Sequence, residues 1–161
     1  MVVFCQHHFD QQQGDGKEPK IVFFVPTVGL VAQQKRMFQR YLSTLKILAQ
    51  SGEQDSKLPL GDLAPKYDVI VMTPQIMLNS LVNGDVTSLS LFTLLIFDEC
   101  HHTNKNNPYN NIMGHYIDEK FEAEKNQKTV HLPQVPFLCC SVMQSVHLCA
   151  VNVNDFSVVT C

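Results

Sequence analysis

The sequence has no excess of charge of either sign. Twelve Lys and Arg stand against 15 Asp and Glu, a formal net charge of −3. No blanket basic surface follows from that, so any contact with nucleic acid has to be local. No Cys-x-x-Cys pair occurs among the six cysteines, and Cys139-Cys140 with His147 and Cys149 lacks a familiar zinc spacing. Cys5 and Cys100 fall inside regular elements while the other four crowd the end of the chain, which speaks against a disulfide framework and for a reducing, cytosolic setting. Met1-Val2-Val3-Phe4 lacks the basic start of a secretory leader and soon meets His7, His8 and Asp10. The most apolar stretch, 137–153, is interrupted by Gln144, Ser145, His147 and Asn152. It falls short of the ~20 apolar residues that a spanning helix needs, so no membrane partner is expected. Repeats and low-complexity tracts are also missing.

What remains is the composition of one globular domain: 161 residues, 45% hydrophobic and 17% charged. Three short apolar runs read as strands buried on both faces: Ile21–Val25, Asp68–Met72 and Leu94–Phe97. Lys46–Ala49 is a fourth, shorter candidate, and 136–142 a fifth that leads into an irregular tail. Between them lie helical patterns. Val2 to about Gln12 reads as the end of a helix. Leu30, Val31, Met37, Phe38, Tyr41 and Leu42 follow helical spacing after Pro26-Thr27, with Gln34 the one polar interruption. Thr73-Pro74 repeats the device, a capping Thr and a Pro at the first helical position, with Asn83-Gly84 as the stop. The segment 50–65 reads as loop with one helical turn. Pro108 opens a helix whose Tyr109, Ile112, Met113, Tyr116, Ile117 and Phe121 share a face, with Asp118, Glu119 and Lys120 outside and a charged surface loop from Glu122 to His131. Strands and helices in this alternation imply βαβ units, hence an α/β fold with a parallel sheet.

Chemistry is expected at the exit of the third strand, where Leu94-Leu95-Ile96-Phe97 runs into Asp98 and Glu99. Open α/β sheets gather their ligands beyond the carboxyl ends of the strands. Two adjacent carboxylates there suit a metal ion beside a phosphate, one for the ion and the other for a water. Thr27 and Thr73 sit at helix N-termini, where free N–H groups and the dipole favour a phosphate. Plain helix capping explains both threonines equally well. Cys100 reads as a small buried filler, His102 as a surface or packing residue, and the Tyr109–Phe121 stripe as core rather than a base-stacking platform.

Three of these elements together carry a resemblance. Asp98-Glu99-Cys100-His101 resembles motif II of the DExH helicases, Pro26-Thr27 with Leu30 and Gln33 resembles motif Ia of superfamily 2 helicases, and Thr73-Pro74-Gln75-Ile76 resembles their TPQI element. The wording DECHHTNKNNPYNNIMGHYIDEK, with the later LPQV, is similar to the RIG-I-like receptor branch, whose motor is related to that of Dicer. The resemblance covers about 1–135. It implies a RecA-like parallel sheet flanked by helices, an incomplete first helicase domain, with ATP and Mg²⁺ as cofactors. Asp98 would hold Mg²⁺ through water, Glu99 would orient or deprotonate the attacking water, and His101 would link the nucleotide site to the RNA-facing motifs. Thr27, Gln33, Thr73 and Gln75 would contact RNA backbone. The implied partner is viral double-stranded RNA in the cytoplasm, in antiviral innate immunity, with no DNA expected.

Two motifs of that family do not occur in these 161 residues. One is the Gly-Lys-Thr phosphate loop (Walker A) that should precede the helix at Val2. The other is the Ser/Thr-Ala-Ser/Thr motif III that should follow Leu132-Pro133-Gln134-Val135. The expectation is therefore a partial ATP-binding domain over 1–135 and a divergent Cys-rich tail over 136–161. As an isolated ATPase such a chain is expected to be inactive, and the alternative is a truncated isoform that modulates the full-length receptor by binding RNA or protein.

Overall fold

The computed structural model describes residues 2–14, 18–52, 58–99, 107–127, 129–139 and 147–150. Five strands of four or five residues form the heart of it: β1 (Ile21–Phe24), β2 (Ile47–Gln50), β3 (Val69–Met72), β4 (Leu94–Asp98) and β5 (Pro136–Cys139). They stand in the order β2-β3-β1-β4-β5, all parallel. A sixth strand, β6 (His147–Ala150), pairs antiparallel with β5 and closes that end of the sheet. Here the expected irregular tail is corrected, since part of it is an ordered strand added against the direction of the rest. Pairing with β1 on one side and β5 on the other makes β4 an interior strand.

The apolar runs make strands because both of their faces are covered. Every residue of β1 and β3 is buried, as are the first four of β4. Side chains alternate across a strand, and the alternation sorts them into two cores. Ile21, Phe23, Val25, Val69, Val71, Leu94 and Ile96 pack with Cys5 of helix α1 (Val2–Gly14) and with Val31 and Phe38 of α2 (Val28–Tyr41). Val22, Phe24, Ile70, Met72, Leu95 and Phe97 pack on the other side with α3 (Leu60–Leu63), α4 (Pro74–Val82) and α5 (Pro108–Lys125). This is the open, helix-flanked parallel sheet that the sequence pattern implies. Each fully buried Phe, Leu or Ile contributes about 1.5–3 kcal/mol relative to exposure.

Helix α1 is also held by a polar contact at the base of the sheet. His8, only 3% exposed, shares a hydrogen bond of 3.0 Å with the hydroxyl of Thr93. That hydroxyl accepts from the Lys20 amide at 3.0 Å and donates to the Lys20 carbonyl at 3.1 Å. The approach to β1, the approach to β4 and the middle of α1 are tied at one point.

Helix α5 departs from expectation in three ways. It runs on to Lys125 rather than ending near Phe121, because Glu122, Ala123, Glu124 and Lys125 are all good helix formers. Asn126 then closes it, its side-chain amide donating to the Glu122 carbonyl at 2.8 Å. Phe121 is 62% exposed instead of joining the core. At ~100° per residue it lies about 120° around the helix from Tyr109, whereas Ile112 and Tyr116 stay within the buried arc. Glu119, placed outside by the pattern, instead turns toward the segment before β4. Its carboxylate accepts from the Leu89 amide at 2.9 Å and from the Ser88 hydroxyl at 2.9 Å.

Candidate functional site

Strand register brings the expected residues to one rim. Phe24 of β1 lies level with Met72 of β3 and with Phe97 of β4. The next residue of each chain, Val25, Thr73 and Asp98, therefore leaves the sheet at the same height, at its C-terminal edge. Strands in a sheet stand about 4.8 Å apart, so the Thr73 and Asp98 backbones are separated by about 10 Å across β1. Alternation sets Thr73 and Asp98 on the same side, that of α1 and α2, because Met72 and Phe97 before them point into the α4–α5 core.

At the end of β4 the chain turns sharply. Glu99 adopts φ +51°, a left-handed conformation that a residue with a full side chain rarely takes. Beneath the turn lies an aromatic cluster. The Phe97 and Phe24 rings are 4.8 Å apart, and Tyr109 meets Phe97 edge-on at 5.2 Å and Phe24 at 6.4 Å. The Tyr109 hydroxyl donates to the Asp98 carbonyl at 3.0 Å. Burial pushes the Asp98 carboxyl above the usual carboxylate range, the Glu99 charge pushes it further, and a hydrogen bond from the Glu99 amide partly offsets both. Among the described residues no cation offsets the charge at Asp98.

The two threonines occupy the N-cap positions of α2 and α4 with extended backbone, φ −133° and ψ 152° at Thr27, φ −79° and ψ 148° at Thr73. Neither side chain caps its helix, contrary to the capping read from the sequence. The Pro at the first position of α4 supplies no N–H to bond, and backbone geometry alone starts both helices. Asn107 shows the contrast at α5, its Oδ1 accepting from the Tyr109 amide at 3.0 Å. Thr73 is buried, with 9% exposure, whereas Thr27 is exposed. Gln33 is exposed on α2, about 9 Å along the axis from Thr27 at 1.5 Å per residue. Gln75 is exposed in the first turn of α4, and its amide donates to Asn79 Oδ1 at 2.8 Å. His101, together with Cys100 and His102, lies outside the described residues.

So the structure gathers Asp98, Glu99, Thr27 and Thr73 at one edge, sets Gln75 beside them and Gln33 further up α2. The hydroxyl of Tyr109 is the contributor that pattern reading missed. The available signal was its position, second in the helix that follows the acidic turn. A surface hollow of about 440 Å³ lies elsewhere: Tyr116, Lys120, Ala123 and Leu132 line it at the opposite end of α5, and none of the candidate residues does.

A divalent cation can be tested against this donor set. Among the described residues no group of three or more His, Cys, Asp or Glu side chains converges as an all-protein cage would require. Mg²⁺ does not require one, since it binds through one or two carboxylates and keeps water and phosphate oxygens as its other ligands. Two hard oxygen donors at Asp98 and Glu99 fit that pattern. No described helix is long and apolar enough to cross a membrane.

Comparison with known proteins gives a consistent result. The family model for the DEAD/DEAH box helicases matches residues 2–132. The antiviral innate immune response receptor RIG-I of Homo sapiens is 38% identical over 143 residues, covering 88% of this chain and 15% of that protein. The ATP-dependent RNA helicase DHX58 of Mus musculus is 33% identical over 126 residues, 76% of this chain and 18% of its own length. The endoribonuclease Dicer homolog 3 of Arabidopsis thaliana is 38% identical over 109 residues, 65% of this chain and 7% of its length. The chain spans less than a fifth of each of these relatives.

Proposed function

Because the chain belongs to the DEAD/DEAH box helicase family, we propose that it forms part of the ATP-binding domain of an RNA-dependent motor. In this reading the motor is that of a cytoplasmic RIG-I-like receptor that senses viral double-stranded RNA. The observation that carries the proposal is the shared rim, where the chain leaves β1, β3 and β4 at one height and runs directly into two uncapped helix N-termini and a pair of carboxylates.

Each residue then has a task set by its place. Asp98 would hold Mg²⁺, whose charge would offset the burial and the neighbouring Glu99 charge that together raise its carboxyl. When bound, the ion neutralises charge on the phosphates of ATP. Glu99, aimed by the left-handed turn, orients the attacking water and accepts its proton. His101 connects this centre to the RNA-facing residues. The free amides at the starts of α2 and α4, with the hydroxyls of Thr27 and Thr73, grip RNA phosphates without reading sequence. Hydroxyls that do not cap their own helices remain available for that contact. Gln33 and Gln75 extend the same surface.

Catalysis needs the phosphates held in place as well as the metal, since positioning supplies most of the rate. These 161 residues contain no Gly-Lys-Thr phosphate loop. A polypeptide of these residues alone is therefore proposed to hydrolyse no ATP and to act, if expressed as such, as a non-catalytic modulator of the full-length receptor.

The test is binding of a labelled RNA duplex to the purified chain, followed by fluorescence polarisation. Weak, salt-sensitive binding is expected, equal for duplexes of unrelated sequence, poorer for duplex DNA, and weakened in Thr27→Val and Thr73→Val. Binding of DNA as tightly as RNA, or RNA binding untouched by both substitutions, would overturn the RNA assignment. In the same sample Mn²⁺, standing in for Mg²⁺, should broaden the side-chain carboxyl NMR signals of Asp98 and Glu99 before those of other acids.

A further inference from the structure

Tyr109 reaches the acidic turn from outside it, and its own position is fixed independently. The ring is 4% exposed and sits edge-on to Phe97 and Phe24. Its amide is held by the Asn107 side chain, and Pro108 pins the first position of α5. From there the hydroxyl donates to the carbonyl of Asp98 at 3.0 Å.

That carbonyl belongs to the peptide joining Asp98 to Glu99, so its direction and the φ of Glu99 move together. For Glu99 to leave φ +51° by a peptide flip, the Asp98 carbonyl must swing away from Tyr109. The turn is a conformation disfavoured in an L residue with a Cβ, and something besides Glu99 has to hold it. Among the described residues the hydrogen bond from Tyr109 holds that carbonyl from another element.

We propose that Tyr109 is a positioning residue, whose hydroxyl locks the Asp98–Glu99 peptide and so keeps the Glu99 carboxylate aimed beyond the end of β4. The proposal rests on the assignment of Glu99 to water orientation made above and names what enforces that orientation. Tyr109 touches neither metal nor substrate. It acts through the backbone, and it ties the aim of Glu99 to the seating of α5 against Phe97 and Phe24.

The experiment compares the full chain with Tyr109→Phe and Tyr116→Phe, all isotopically labelled. Tyr116 is a buried tyrosine of the same helix, two turns away from the acidic turn, and controls for loss of a phenolic hydroxyl as such. Two readouts at Glu99 matter: the amide-to-Hα coupling with the Cα shift, which report φ, and the amide exchange rate. In Tyr109→Phe the Glu99 signature should move off its left-handed value and its exchange should rise about five-fold, the ratio that one net hydrogen bond corresponds to. Amides of β1 and β3 should keep their rates. Tyr116→Phe should leave Glu99 unchanged.

An unchanged Glu99 signature in Tyr109→Phe overturns the proposal. So does an equal change in Tyr116→Phe, or loss of cooperative unfolding in Tyr109→Phe alone, since both describe a general packing role. Addition of Mn²⁺ to the unsubstituted chain separates the two readings. No broadening at Asp98 or Glu99 would sink the metal assignment while leaving the result on the turn to stand.

Discussion

Two phenylalanines separate the packing argument from a pattern argument. Phe97 and Phe121 both occupy positions that the sequence marks as apolar core, yet Phe97 is fully buried and Phe121 is 62% exposed. Truncating Phe97 to Ala removes a ring that contacts Phe24 at 4.8 Å and Tyr109 at 5.2 Å, and leaves a hole beneath the acidic turn. Large-to-small changes of this kind cost about 3–5 kcal/mol. Phe121→Ala takes a ring mostly from solvent and should cost ~0.5 kcal/mol or less. With a urea m-value of about 2 kcal/mol/M, Phe97→Ala should lower the unfolding midpoint by about 2 M and Phe121→Ala by less than ~0.3 M. The assay is urea unfolding followed by far-UV circular dichroism. Since small domains carry only about 5–15 kcal/mol in total, Phe97→Leu provides a milder version, expected to cost roughly 1–2 kcal/mol. Equal midpoints for the two alanine variants would refute the reasoning, because the α5 face would then have been assigned wrongly.

Two further outcomes follow from the base of the sheet and from α3. Burial lowers the His8 pKa below its ordinary value and the neighbouring His7 lowers it further, while the hydrogen bond with Gln134 opposes them. A depressed histidine favours the neutral form in the folded state. Its contribution is therefore whole above about pH 6.5 and is lost as pH falls through the folded value. The thermal midpoint of the unsubstituted chain should fall between about pH 7 and pH 5 more steeply than that of His8→Gln. Parallel curves would remove His8 from the account. At Gly61, an added Cβ would overlap the backbone carbonyl of Asp85. Gly61→Ala should thus destabilise by ~1–3 kcal/mol in the urea assay, although helix propensity alone would favour Ala by about 1 kcal/mol. An unchanged or raised midpoint would show that the Asp85 turn gives way.

Much of this arrangement can be read in the residues themselves. Ile21–Phe24, Val69–Met72 and Leu94–Phe97 announce doubly covered strands because nothing polar interrupts them. Pro74 and Asn83-Gly84 bracket α4 because Pro fits a first turn and Gly84, at φ +79°, a left-handed stop. The rim of Asp98, Glu99, Thr27 and Thr73 follows once the strands are parallel and in register. Other features depend on contacts that local pattern does not carry. Whether a threonine hydroxyl turns inward to its own helix is decided by neighbours, and at Thr27 and Thr73 it does not. The direction of β6 depends on a partner distant from any helical crossover, and the left-handed Glu99 on a tyrosine ten positions away. Phe121 was lost to the slow drift of the apolar stripe around α5.

The split of β-strand side chains between two cores makes chain length within the strands unforgiving. Deleting one residue inside β4 would send Phe97 toward α1 and α2 and swing Asp98 in among Phe24, Tyr109 and Ile112, where a carboxylate finds no water. The Phe97 ring would face a space shaped for something else, and the acidic pair would lose its outlet to solvent. Insertions in the surface turns, such as the one around Gly84, carry no such reversal. Heritable length variation in this domain should therefore concentrate outside the sheet, while its strands change by substitution alone.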